Sequence, residues 1–398
     1  MDGDGFGNQV DVCPETSDQQ SDIDQDGLGD ACDSDDDNDG VDDDVEVQVG
    51  TDPHDGADFP HAAGGTGCNQ NSYGPSAGWV ALLLVPIFRR RSGWIVFCLA
   101  LPSSTYAQGF DAETFHPGDG GRLGVKVDGS TVLPAGAITA GTWISYAKDP
   151  VILVDGEGQE LDSVVDRMAT TSVRLAAGLP GHVELAALLP VGILQAEQGP
   201  TAINGGGLHD AHLSVKWQIL RPDRYFLGIA LQGYSTIPLG TPAELRGEEG
   251  VVGGAGAALD HHIGAFRVGG EIGYVTRGGP TQWEGATLSQ QIKYGVALRW
   301  RPSAHAAFSA AAEVAGATSL GGDTSGNPAE ALVVTGWQRG PWRVCLGGGA
   351  GLSSGVGAPD WRTFTGLSWS SATAWDEDRD RLGEGIDRCP LAGEYGWF

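Results

Sequence analysis

The residues best placed to do chemistry are carboxylates, and they recur on one frame. Asp35, Asp37, Asp39, Asp43 and Glu46 stand at positions 1, 3, 5, 9 and 12 of a loop, with Gly40 at the sharp turn of position 6. Val41 can offer its backbone carbonyl at position 7. A hard cation wants about six to eight oxygens at varied angles, so the chemistry expected here is calcium binding. The same frame appears upstream as Asp22, Asp24, Asp26, Gly27, Leu28 (by its carbonyl), Asp30 and Asp33. A third copy, Asp2, Asp4, Gly5, Phe6 (carbonyl), Asn8 and Asp11, lacks the first ligand, which places the start of the sequence inside a repeat. A weaker copy closes the chain as Asp376, Asp378, Asp380, Glu384 and Asp387; Arg381 replaces its turn glycine and weakens the case for calcium there.

What must position these loops is unusual. From Met1 to Asp58 there is no Lys or Arg, and the 398-residue chain carries a net charge of −29. So acidic a block repels nucleic acid and cannot bury a core by itself; it needs cations or stays solvated. The hydrophobic helices that flank an EF-hand loop are missing from the pattern, so the loops form a repeat array. Cys13 and Cys32 fall at matching repeat positions and make a candidate disulfide pair.

Cys13-Pro14, Gln20, Asp22, Asp24, Asp26-Gly27, Gly29-Asp30 and Cys32-Asp33 resemble thrombospondin type 3 repeats, and Gly50-Thr51-Asp52-Pro53 is similar to their bacterial version. The resemblance covers residues 1–58 and implies stacked calcium ions with little regular secondary structure. Residues 59–78 read as a linker, and His54 and His61 read as surface histidines.

The strongly apolar stretch, Gly67 to Gln108, is cut in two by Arg89, Arg90 and Arg91. Neither half reaches the roughly 20 apolar residues of a spanning helix. The second half has the order of a secretory signal: the arginines, the apolar run Trp94–Leu101, then Thr105-Tyr106-Ala107 as a cleavage site before Gln108. The first half, with Gly67-Cys68, Trp79–Phe88 and the arginines, resembles a MYXO-CTERM sorting tail, though not at a C-terminus. An end signal against a start signal is the order expected where one exported protein is joined to the next. The plainer alternative is one hydrophobic hairpin, buried or lying on a membrane. Residues 79–107 are expected to be a short helical sorting or signal segment.

Beyond it the period changes to two. In Leu208–Leu220 the residues Ala211, Leu213, Val215, Trp217 and Ile219 share one face, and His212, Ser214, Lys216 and Gln218 share the other. Twelve such segments are expected, at about 136–147, 164–178, 181–195, 208–220, 224–238, 250–261, 264–277, 289–301, 304–318, 329–338, 341–353 and 361–370. They match the 9 to 11 residues or so of a tilted membrane strand. The connections alternate long (such as Asp149–Ser163 and Leu239–Glu249) and short (such as Leu179-Pro180 and Arg221–Asp223), as in outer-membrane barrels. Trp217, Tyr225, Phe266, Trp300, Trp337 and Trp342 cluster beside the short turns, where an interfacial girdle belongs. Arg174, Glu184, Lys216, Arg267, Glu271, Lys293, Arg299, Glu313 and Arg343 fall on the polar face, expected to be a lumen where charges pair or meet water.

The fold class expected is therefore all-β: an antiparallel transmembrane barrel of about 12 strands over 108–371, preceded by the calcium-loop segment and the short hydrophobic segment, and followed by the degenerate repeat 372–398. Barrel followed by Cys389-Pro390 repeat, with Gly109-Phe110-Asp111 and Leu133-Pro134-Ala135-Gly136 before the first strand, resembles OmpA-family envelope proteins. The family implies a structural or porin-like role, and a peptidoglycan partner only where a further C-terminal domain is present. Outer-membrane lipid is the partner the barrel requires, with small solutes or surface partners beside it. The competing reading is an extracellular calcium-dependent adhesion protein with a soluble sandwich or lipocalin-like β-domain. A barrel enzyme needs a nucleophile and base, but His209, His212, His261, His262 and His305 lie in no catalytic motif. The glycines at 253–256 and 347–351 sit within strands and fail the context test for a nucleotide loop.

Overall fold

The chain is described as a computed structural model over residues 6, 11–17, 19–39, 41–64, 107–108, 110–118, 122–155, 159–195, 202–222, 224–248, 250–277, 281–283, 286–303, 306–321 and 326–371. Twelve long antiparallel strands form a closed ring. They are β1 (Ile138–Val154), β2 (Glu160–Leu179), β3 (Val183–Gln195), β4 (Ala211–Leu220), β5 (Gly228–Ile237) and β6 (Gly253–Ile263). The ring continues with β7 (Phe266–Thr276), β8 (Gln291–Trp300), β9 (Phe308–Ser319), β10 (Ala329–Arg339), β11 (Trp342–Gly351) and β12 (Trp361–Ser370). Each pairs with its sequence neighbour, and β12 closes the ring on β1 through a register that runs from Trp361↔Lys148 to Ser370↔Thr139. All twelve expected segments are strands.

The period-two pattern decides which way each side chain faces. On β4, Leu213, Trp217 and Ile219 are exposed, while Lys216 and Gln218 are buried. Val296 and Leu298 on β8, Val333 on β10, and Val344 and Leu346 on β11 continue the outward apolar band. Leaving such side chains against water costs about 1.5–3 kcal/mol each, and a ring of them is stable only in lipid. The expected girdle residues Trp217, Tyr225, Phe266, Trp300, Trp337 and Trp342 are all outward and exposed. This apolar belt removes the soluble β-domain reading. Among the described residues no helix is long and apolar enough to cross a membrane; the strands do the crossing.

The strand ends joined by 180–182, 221–227, 264–265, 301–307 and 340–341 lie at one rim; those joined by the longer connections 196–210, 238–252, 277–290, 320–328 and 352–360 lie at the other. In outer-membrane barrels the short-turn rim faces the periplasm and the long-loop rim faces outward; they are called the inner and outer rim below. Two expected short turns are longer than the pattern suggested, at 221–227 and 301–307. The expected long loop Asp149–Ser163 is mostly strand: β1 and β2 run on past the rim as a hairpin, with register shifts between Lys148 and Val154. Val151, Leu153, Val164 and Val165 are fully buried there, which gives the extension a core of its own.

The region read as a linker also has structure. His61–Ala63 is a short strand that adds to the edge of β1, paired His61↔Val154, Ala62↔Leu153 and Ala63↔Ile152. After the last acidic loop comes a helix, α1 (Asp43–Val49), not expected from a repeat array. Asp43, Asp44 and Glu46 suit the positive end of its dipole, and Gly50 takes the left-handed conformation (φ 98°) that lets its N–H close the helix on the Glu46 carbonyl.

Candidate functional sites: the filled lumen and the acidic loops

The sequence leaves open whether the lumen is filled or open; in the structure a segment of the chain occupies it. Residues 110–118 and 122–137 run inside it, from Ala112, whose N–H donates to the Leu245 carbonyl at the outer rim, to Gly136, whose N–H donates to the Gly178 carbonyl at the inner rim. Phe110, Phe115, Leu123, Val125, Val127, Val132 and Leu133 are all buried. The mixed charges of the inner wall, expected to pair or to meet water, mostly pair with this segment and with one another.

Glu313 on β9 accepts hydrogen bonds from the N–H groups of Val125, Lys126 and Val127, each at 3.0 Å. Successive amides aimed at one carboxylate make a small anion nest. Gly124 is part of it, because a Cβ there would run into Glu313 Oε2. Glu184 on β3 takes Arg122 at 2.6 Å, Arg174 at 3.2 Å and the Leu133 N–H at 2.8 Å. Arg267 donates to the Arg122 carbonyl at 3.3 Å and pairs with Asp260 at 2.9 Å; Arg299 donates to the same carbonyl. Lys216 meets Asp128 at 3.2 Å, and Glu271 holds Lys293 at 2.9 Å and Gln232 at 3.0 Å. Arg343 is buried on the lumen side.

Four further lumen residues were not singled out from the sequence. Arg362 on β12 is wholly buried, paired with Glu113 and with Glu330, each at 3.2 Å, while Lys126 reaches Glu330 at 3.4 Å. Its guanidinium also lies 5.3 Å from the centre of the Phe115 ring. Arg362 alternates with outward Trp361 and Thr363, so strand parity carried the signal; Glu113 and Lys126 lie on no strand and gave none. Beside them Phe115, Trp143, Leu332, Val334 and Phe364 form an apolar cluster within the lumen. Among the described residues, a cavity of about 290 Å³ lies in the outer half, lined in part by His116, Lys126, His212, Tyr234, Arg277 and Lys293.

The acidic loops form a second site. Cys13 and Cys32 are disulfide-bonded. Asp35, Asp37 and Asp39 bring one carboxylate oxygen each to within 4.8 Å of one another, and so do Asp22, Asp24 and Asp26. Glu46 is wholly buried, with neither side-chain oxygen hydrogen-bonded; Asp37 Oδ2, Asp39 Oδ2, Asp22 Oδ1 and Asp11 Oδ2 are buried and unbonded too. Buried carboxylate oxygens that no donor satisfies are what a calcium shell would engage, so the residues fit the ion. Burial, and then neighbouring carboxylates, push Asp36 and Asp39 up to about 6 and Glu46 up to about 7.

The carboxylates of the frame also accept backbone N–H groups. Asp43 at position 9 accepts the Asp36 N–H, and Asp33 accepts those of Ser34 and Asp35. Asp30 accepts the Ile23 N–H and groups with Asp36 and His54 instead of with Asp22. The Val41 N–H bonds Asp39, and Leu28 is exposed, its N–H bonded to Asp26. His54, read as a plain surface histidine, sits with Nε2 3.4 Å from Asp36. Asp2, Asp4, Asn8, the segment 79–106 and Asp376, Asp378, Asp380, Glu384 and Asp387 lie outside the described residues. Ala107 and Gln108, the expected cleavage point, form a two-residue strand parallel to Thr281–Trp283.

The family model of the thrombospondin type 3 repeat matches residues 1–21 and 21–47. No curated protein sequence matches the chain. Among solved structures, an outer membrane channel from Pseudomonas putida F1 is similar over 61% of this chain and 97% of its own, at 16% identity and a TM-score of 0.49. The NanC porin is similar over 58% and 98%, at 12% identity and 0.39. The β domain of the Bordetella autotransporter BrkA is similar over 59% and 99%, at 11% identity and 0.32. The closed ring with its apolar belt defines the class of this protein: a twelve-stranded outer-membrane β-barrel.

Proposed function

We propose that the protein is an outer-membrane channel held shut by its own residues 110–137, and that it carries a calcium-binding acidic array. The observation behind the first half is the occupied lumen: backbone amides of that segment are hydrogen-bonded to charges built into the wall, Glu313 above all. Buried wall charges that pair with a removable segment have a second state available, in which they meet water and solute. Calcium at Asp35, Asp37, Asp39 and Glu46, and at Asp22, Asp24 and Asp26, rests on their unsatisfied buried oxygens and on the repeat match. An OmpA-type relationship would concern the order of barrel and repeat, since twelve strands exceed the eight of small OmpA-type barrels. A barrel lacking 112–132, purified in detergent and shown to fold by heat-modifiable migration, should give steady conductance in planar bilayers where the full chain stays nearly closed. A folded deletion variant that fails to conduct removes the channel reading and leaves a structural one.

A further inference from the structure

The path of the chain relative to the two rims has a topological meaning. Strand β1 starts at Ile138 on the inner rim, beside Ser371 and Ala177. From there the chain can be followed backwards through the lumen. Leu133 and Arg122 meet Glu184 near the inner end, Val125–Val127 meet Glu313 at mid-height, and Thr114 donates to the Gly357 carbonyl in the outer loop 352–360. Asp111 then bridges Arg246, and Gln108 pairs with Gln282, both in outer loops. The barrel domain's leading segment therefore leaves the ring at the outer rim.

The acidic array is found at that same rim. His61–Ala63 adds to the part of β1 that projects beyond it, and the Gly64 N–H donates to the Ser354 carbonyl at 2.7 Å. A single apolar core joins the parts: Ala62 from the array's end, Phe110 and Ala112 from the lumen segment, Val151 and Val164 from the hairpin, and Leu245 from an outer loop, with Val49 of α1 packed against it. Main-chain pairing of this kind supplies affinity, and the apolar core fixes its register.

We infer that the barrel presents the acidic array on the outer face of the membrane, with residues 110–137 as the passage through which the chain crosses its own lumen. The lumen segment is then a thirteenth crossing, satisfied by wall charges instead of by a neighbouring strand, and the cation-binding loops face the medium. This inference rests on the barrel and its orientation, not on whether the lumen conducts.

The test uses the full chain in intact cells. Val47, 70% exposed on α1, and Arg224, in the inner turn 221–227, are each changed to cysteine (Val47→Cys and Arg224→Cys) and treated with a membrane-impermeant maleimide, the parent chain supplying the background. Val47→Cys should label fully before the outer membrane is permeabilised, and Arg224→Cys only afterwards. Protease added to intact cells should also release an acidic fragment and leave 110–371 protected. Labelling of Val47→Cys only after permeabilisation overturns the inference, and so does a mature chain that begins at Gln108, because the array is then not joined to the passage. If Arg224→Cys labels on intact cells, the barrel's orientation has failed instead, and with it the premise.

Discussion

Arg362 on the last strand and Glu113 in the lumen segment face each other at 3.2 Å with neither side chain reaching solvent, though the two stand 249 positions apart in sequence. The pair couples the ring to what fills it. Removing one member of a buried pair costs about 3–5 kcal/mol, because the other charge is stranded. Arg362→Met strands Glu113 and leaves Glu330 with Lys126 alone. It should lower the temperature of heat-modifiable migration and give intermittent conductance in planar bilayers, both read on the purified barrel. Adding Glu113→Gln to Arg362→Met should recover much of the loss, because Glu330 keeps Lys126 and the carboxylate that had lost its partner becomes neutral.

Glu313 offers a more selective handle on the segment. Glu313→Ala leaves three amides without their acceptor, a loss of about 2–4 kcal/mol concentrated on 125–127 and not on the wall. Amide exchange measured in detergent should quicken at those residues while β8 and β9 stay protected. Uniform quickening along β9 would mean that Glu313 supports the strand and not the segment.

The lipid belt makes a prediction of opposite kind. Val296 is 62% exposed at the middle of β8. Val296→Arg places a charge near the bilayer midplane at a cost of about 2–4 kcal/mol. Folding yield into vesicles should drop accordingly, whereas solubility of the unfolded chain should not. Unchanged yield would mean that this face does not meet lipid.

Much of this was legible from alternation alone. Leu213, Trp217 and Ile219 against Lys216 and Gln218 fix both the strand and its facing, because a one-residue slip would put lysine in lipid. The lumen segment was illegible for the complementary reason. Residues 110–137 are rich in Gly and Asp without a period, and their burial depends on carboxylates and guanidinium groups that arrive from six or more strands. The extension of β1 and β2 hid behind Asp149 and Pro150, which look like the start of a loop; the strand is restored by a register shift and by the apolar run Val151–Val154. His54 carried no signal either, since its partners Asp30 and Asp36 come from neighbouring loops.

For the acidic array, calcium that binds only the folded form should stabilise it by about 2.7 kcal/mol at a hundredfold excess over Kd. Amide exchange over 11–58 of the full chain, with and without calcium, reads this directly. Asp37→Asn and Glu46→Gln should each shrink the difference, and the absence of any calcium-dependent protection would remove the metal assignment.

The pH dependence has a definite sign. Unfolded Asp and Glu titrate near 4, while Asp36 and Asp39 are pushed up to about 6 and Glu46 to about 7. Between roughly pH 4 and 7 the folded array thus holds more protons than the unfolded chain, and its metal-free stability falls as pH rises through that window. Calcium competes with those protons, so its affinity should weaken as pH drops from 7 towards 5, with protons released on binding. Titration calorimetry in two buffers of different ionisation enthalpy checks both; equal affinity at both ends would mean that these carboxylates are not ligands.

The single seam where β12 meets β1 sets the order of assembly. Every other pairing within the twelve-strand ring joins consecutive strands, but Trp361 cannot find Lys148 until the whole domain has been made. The lumen segment, which precedes β1 in the chain, is therefore made before that last zipper can shut.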